Sequence, residues 1–250
     1  MRLGGYCASA LLAAILLVPF GVAGDAHAGV IGNWEKSGRS WNNSHMTKIM
    51  SAMQNAGHRV DGDGIISTSV LKNSGVYAIG EPTATPTAAE LALLRQFAID
   101  GGIILIFGDT GIDLPTYNNL LAGIGSAITF APGTIATTSA LPLGQFTQGP
   151  WNISGSTLSV TSGNGTAGGT LIDNNYVRYE RIGAGYVFVF GDRIDHDDVI
   201  SDTNTKLLLN IVNIAIVSPA QIPAVSPMAL ALSCLLLASL GAARLARRRR

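Results

Sequence analysis

The run Ile103-Ile104-Leu105-Ile106-Phe107 is apolar at every position. Successive side chains of an extended chain point to opposite faces of a sheet. A strand with no polar face therefore needs cover above and below, which suits the centre of a parallel sheet clad by helices. Val187-Phe188-Val189-Phe190 repeats the pattern near the other end of the chain. Together the two runs predict an α/β domain with a mostly parallel sheet flanked by helices.

The segments between them fit that reading. Val30 to Trp34, His58 to Asp61 and Val76 to Gly80 are short strand candidates. Met46, Ile49, Met50 and Met53 recur at helical spacing behind Asn42 or Ser44 as N-cap, and Gly57 stops that helix. Asp61-Gly62-Asp63-Gly64 reads as a turn. Thr87-Ala88-Ala89-Glu90 spells a capping box, which predicts a helix to about Asp100 ended by Gly101-Gly102. A β-rich excursion is expected near 127–175, where Gly, Ser and Thr dominate and charges are sparse. Tyr176 to Arg181 alternates as a strand, and a last helix is expected from about Thr205 to Val217.

The termini read differently. Arg2, an apolar run over Ala10–Phe20 and Ala26-His27-Ala28 make up a secretory signal over 1–28, with signal peptidase as its partner. The exported domain then spans 29–217, followed by a linker and sorting motif over 218–227. An apolar run over 228–246 is expected to form one transmembrane helix, and 247–250 is an arginine tail on the cytoplasmic side. These ends account for much of the mean hydropathy of +0.33.

Trimming them changes the charge. The domain keeps ten of the sixteen basic and fifteen of the sixteen acidic residues, about −5 in all. That excludes a nucleic-acid partner, which would require a basic face. Both cysteines, Cys7 and Cys234, lie outside the domain. A disulfide, a zinc–thiolate centre and a cysteine nucleophile are therefore excluded from it.

Ile222, Pro223 and Ser226, the apolar run and Arg247, Arg248, Arg249 and Arg250 together resemble the exosortase-type sorting signals of Gram-negative bacteria, in the variety beginning Ile-Pro-Thr-Leu. Ala224, Val225, Pro227 and Met228 depart from that motif. The resemblance implies an inner-membrane anchor and an exosortase-type sorting enzyme as partner. It further implies delivery to the cell surface or extracellular matrix, where extracellular polysaccharide is a further partner.

Ala98-Ile99-Asp100-Gly101-Gly102 with Ile104-Leu105-Ile106-Phe107-Gly108-Asp109, and Gly185 to Asp192 with Leu207-Leu208-Leu209-Asn210, resemble non-catalytic class I glutamine amidotransferase-like domains. The implied fold is flavodoxin-like or amidotransferase-like. Asp109 stands nearest the place of that family's cysteine nucleophile, and a carboxylate cannot replace a thiolate there.

The ligand-binding candidates are Asp109 and Thr110 after the central strand, Asp192 and His196 after the late one, and Trp34 and Trp41 as aromatic faces for a sugar. Asp195, Asp197 and Asp198 form an oxygen-rich run suited to Ca²⁺ or Mg²⁺; no other cofactor is expected. The expected function is an exported, non-enzymatic ligand- or partner-binding protein. The alternative is a hydrolase using Asp109, Asp192 and His196, with a metal ion assisting.

Overall fold

A computed structural model describes residues 29–135, 137–174 and 176–216. In chain order the elements are β1 (Val30–Trp34), α1 (Thr47–Asn55), β2 (Arg59–Gly64), α2 (Thr68–Asn73), β3 (Val76–Gly80), α3 (Ala88–Ile99) and β4 (Ile103–Phe107). There follow α4 (Leu114–Ile124), β5 (Thr129–Ile135), β6 (Gly163–Ala167), β7 (Thr170–Asp173), β8 (Val177–Ile182), β9 (Gly185–Phe190) and α5 (Asp202–Ile216).

Seven strands form one sheet in the order β2-β1-β3-β4-β9-β8-β7. From β2 to β9 neighbouring strands run parallel, whereas β8 and β7 pair antiparallel at the far edge. The two apolar runs lie side by side at the centre, with Ile103 opposite Tyr186 and Phe107 opposite Phe190. Alternation then divides the core in two. Tyr77, Ile79, Ile104, Ile106, Val187 and Val189 pack with Leu94, Phe97, Leu120 and Leu121 of α3 and α4. Val76, Ala78, Leu105, Phe107, Phe188 and Phe190 pack with Ile49 and Met53 of α1 and Leu207, Leu208 and Ile211 of α5. Each fully buried Leu, Ile or Phe contributes about 1.5–3 kcal/mol relative to exposure, so two such layers can hold a thiol-free domain together.

The expected mostly parallel sheet with helices on its faces is thus present. Several boundaries differ. β2 runs through Asp61-Gly62-Asp63-Gly64, because pairing of Asn33 with Asp63 and Trp34 with Gly64 overrides the local turn preference. α1 starts at Thr47, and neither Asn42 nor Ser44 caps it. The 127–175 excursion holds a two-stranded β5–β6 sheet, a segment over 137–162 with no helix or strand, and β7, which joins the main sheet.

The expectation of a fold ending in a membrane-spanning helix is corrected. Among the described residues no helix is long and apolar enough to cross a membrane. The run over 228–246 lies outside the described residues, as do the signal over 1–28, the sorting motif over 218–227 and the arginine tail.

Candidate functional site

The parallel strands share one carboxyl-terminal edge. β1 crosses to β2 on one side, and the chain then returns to β3 on the other. The strand order therefore reverses between β1 and β3, and in open α/β sheets the crevice at such a point receives ligands. Three strands end there in the same way: Ile79-Gly80-Glu81 after β3, Phe107-Gly108-Asp109 after β4 and Phe190-Gly191-Asp192 after β9. Each places a carboxylate just beyond a buried strand.

The loop after β1 closes over this edge. The Gly38 amide donates to the Glu81 carbonyl at 2.8 Å, and the Thr83 amide donates to the Lys36 carbonyl at 2.8 Å. A Cβ at Gly80 would run into the Arg39 carbonyl, so the close approach needs glycine there. Arg39 is thereby set between two acids. Its Nε lies 2.7 Å from Glu81 Oε2, and its Nη2 lies 3.6 Å from Asp109 Oδ2. Arg193 reaches the same Asp109 oxygen at 3.4 Å. The other oxygen, Asp109 Oδ1, accepts the Thr110 amide at 2.7 Å.

Glu81 is held with φ at +44°, in the left-handed region that non-glycine residues seldom enter. Such strain costs of order 1–3 kcal/mol and collects at functional sites. Burial pushes the Glu81 carboxyl above its ordinary pKa; Arg39 opposes this, and the Asp109 carboxylate adds to it by charge and hydrogen bonding.

An open pocket of about 400 Å³ lies over these groups. Arg39, Glu81, Thr83, Asp109, Thr110 and Asp113 supply its polar lining, and Pro82, Ile112 and Tyr117 its apolar one. The Tyr117 hydroxyl donates to the Phe107 carbonyl at 3.1 Å, tying α4 to the end of β4.

Behind the pocket the polar groups continue inward. Asp192 is fully buried, and its Oδ2 accepts the Thr161 amide at 2.8 Å. Burial pushes its carboxyl up, against the pull of the Thr161 amide. Asp195 is also buried and accepts the Trp41 indole N–H at 2.6 Å. Burial raises its carboxyl to about 7, although the indole bond works the other way. Asp192 Oδ1, Asp195 Oδ1, Arg39 Nη1 and Arg193 Nε are buried polar atoms without a hydrogen-bond partner among the described residues. Atoms of this kind are few in native proteins, and here four gather at one end of the sheet.

The candidates read from sequence are divided by this geometry. Asp109 and Thr110 line the pocket, and Asp192 lies beneath it. His196 does not line it. Its ring stacks on His45 at 5.4 Å between centroids, and its Nδ1 accepts the Asp198 amide at 3.3 Å. Burial, then the charges of Arg39 and Arg193, lower the imidazole's pKa, which matches Nδ1 acting as an acceptor. Trp34 and Trp41 are buried in the two core layers, so protein covers the faces expected to stack on a sugar.

The acidic run does not gather round a cation. Asp195 turns inward to Trp41, and Asp198 is exposed. Asp197 accepts the amides of Thr47 and Lys48 at 3.1 and 2.8 Å, serving as a remote cap for α1. Burial is the largest single influence and raises its carboxyl, but the Thr47 hydroxyl, the two amides and the Lys48 charge together outweigh it and hold the carboxyl below the usual range. Among the described residues no group of three or more His, Cys, Asp or Glu side chains is placed to hold a metal ion.

Glu81, Arg39 and Arg193 were not among the expected site residues. The repeated strand–Gly–acid ending was a usable signal for Glu81.

No family model matches the chain, and no curated protein matches it. Among solved structures it is similar to the mmIFT52 N-terminal domain, at a TM-score of 0.61 and 14% identity, covering 75% of this chain and 97% of that one. It is also similar to Cytoplasmic Protein STM3548 from Salmonella typhimurium, at a TM-score of 0.50 and 13% identity, covering 74% and 97%. At such identities the likeness establishes a shared fold.

Proposed function

We propose that this chain is an exported, non-enzymatic protein whose α/β domain binds a ligand at the carboxyl-terminal edge of β1, β3 and β4. The observation that carries the reading is the pocket over Glu81 and Asp109, with Arg39 bridging the two carboxylates at the point where strand order reverses. The export half rests on the secretory pattern over 1–28, the cysteine-free domain and the sorting-type motif with its arginines.

The hydrolase alternative has less support. General-base catalysis needs a base within hydrogen-bond reach of the proton it takes. Asp109 Oδ2 faces two guanidinium groups, Oδ1 accepts a backbone amide, and the His196 ring is engaged by His45 and Asp198. A divalent ion is no part of this reading, because Arg39 and Arg193 already supply positive charge to the acids.

Amide chemical-shift mapping against a library of small polar compounds tests the binding half. Shifts confined to Glu81, Thr83 and 109–113 are expected; responses only on the far edge of the sheet overturn it. Fractionation of cells carrying a tag after Gly29 tests the export half, and recovery of the tagged protein in the cytosol overturns that.

A further inference from the structure

Resting on the reading of the pocket as a binding site, we propose that its ligand is a neutral, hydroxyl-rich ring, the chemistry of a sugar residue. The argument starts from the order of charges. Glu81, Arg39, Asp109 and Arg193 follow one another with alternating sign, linked at 2.7, 3.6 and 3.4 Å. An anionic ligand would meet Glu81, Asp109 and Asp113. A cationic one would have to compete with two guanidinium groups for the same carboxylate oxygens. Parting these largely buried ion pairs exposes charges that each already have a partner, and a charged ligand gains only by replacing that partner.

A neutral hydroxyl needs no such exchange. It donates and accepts at once, so neighbouring hydroxyls on a ring can give a proton to a carboxylate and receive one from a guanidinium. Hydrogen bonds to ionised groups are the stronger kind. The Thr83 and Thr110 hydroxyls donate to the Lys36 carbonyl and to Asp109 Oδ1, and their oxygens can still accept from a ring hydroxyl, while Pro82 and Ile112 offer apolar surface to the C–H edges of a ring. A cavity of about 400 Å³ lies within the usual range of small-molecule sites. Because Trp34 and Trp41 are buried, no tryptophan face contributes stacking. Affinity for a single residue is therefore low, and a polymer gains by presenting many residues.

The test compares three arms of one ring. Glucose and galactose are the neutral probes, glucuronic acid the anionic one and glucosamine the cationic one, each titrated into the purified protein near pH 7 with the amide signals of Glu81, Thr83 and 109–113 followed. A neutral sugar is expected to move these signals, and both charged analogues are expected to bind about tenfold more weakly. Asp109→Asn should weaken the neutral sugar about tenfold, because a charged acceptor is exchanged for a weaker neutral one, with the melting temperature checked to confirm folding. If either charged analogue binds as tightly as the neutral sugars, the ligand class is wrong while the pocket remains a binding site. If no probe in any arm moves the pocket signals, while other library compounds do, the sugar inference alone fails. If nothing moves them, the inference falls together with the reading on which it rests.

Discussion

The sheet is covered by two materials. α3 packs Leu94, Phe97 and Ala98 on one face and meets most of its own backbone hydrogen-bonding needs. Its capping box completes the first turn, Thr87 accepting the Glu90 amide while Glu90 accepts the Thr87 amide at 2.7 Å. On the other face the segment over 137–162 buries Leu141, Phe146, Ile153 and Leu158 with no regular structure at all. Some of its backbone groups pair within the segment, such as the Leu141 amide with the Ser156 carbonyl and the Ile153 amide with the Thr147 carbonyl; others need partners from elsewhere, since a buried unpaired amide or carbonyl costs about 1–3 kcal/mol.

Those partners are side chains. Asn210 of α5 accepts the Trp151 amide at 3.1 Å and donates to the carbonyls of Phe146 at 2.9 Å and Trp151 at 2.8 Å. Asn204 accepts the Ser159 amide and donates to the Ser159 and Ile194 carbonyls. Asp173 Oδ1 accepts the Ser139 amide at 2.8 Å. A coil can thus do the packing work of a helix, but part of its order is borrowed. A helix loses its backbone bonds turn by turn, whereas this segment can lose three by one substitution.

That contrast can be broken most directly at Asn210. Replacing it with Leu should cost about 3 kcal/mol, from three buried groups left partly unpaired. For a domain of this size that is roughly a 6–12 °C fall in melting temperature. Hydrogen exchange should quicken over 146–153 well before α3; equal loss in both would mean that the segment is not held separately.

A pH titration sharpens the picture at the β9–α5 connection, where Asn204 joins the Ile194 carbonyl to the Ser159 carbonyl of the irregular segment. Asp195 has a carboxyl near 7 in the folded protein, against about 3.9 in the unfolded chain. Between those values the folded state holds a proton that the unfolded state has lost, so stability falls as pH rises through this window. Asp192 works in the same direction. Asp195→Asn should flatten the decline in the denaturation midpoint from pH 4 to 7, and an unchanged slope would assign it to other groups.

The smallest effect belongs to the self-contained covering. Thr87→Ala removes one half of the capping box and should cost about 1 kcal/mol. The change in exchange should stay within the first turn of α3. Spread into 137–162 would contradict the division of labour.

The parallel centre was legible because Ile103–Phe107 and Val187–Phe190 have only one way to hide both faces. Other elements were settled by contacts distant in sequence. Asp61-Gly62-Asp63-Gly64 has turn chemistry, yet it forms an outer strand, where its acids are tolerated and discourage further pairing. The first helix is capped from Asp197 across the fold, which no local pattern announces. At the site, Asp109 could be read from its place after a buried run. Arg39 sits in a loop whose path depends on Gly80 and Glu81, and Arg193 acquires meaning only when β9 lies beside β4. The tryptophans misled because their size suits a sugar platform and a core equally well, and here the core took both.

The pairing of β4 with β9 also sets an order of events. Phe107 is made early, but its neighbour Phe190 follows only after the whole excursion has been synthesised. Until then the middle of the sheet presents a bare, sticky edge. The centre of the sheet therefore cannot close before Phe190 has left the ribosome, and the two halves of the core must be completed together.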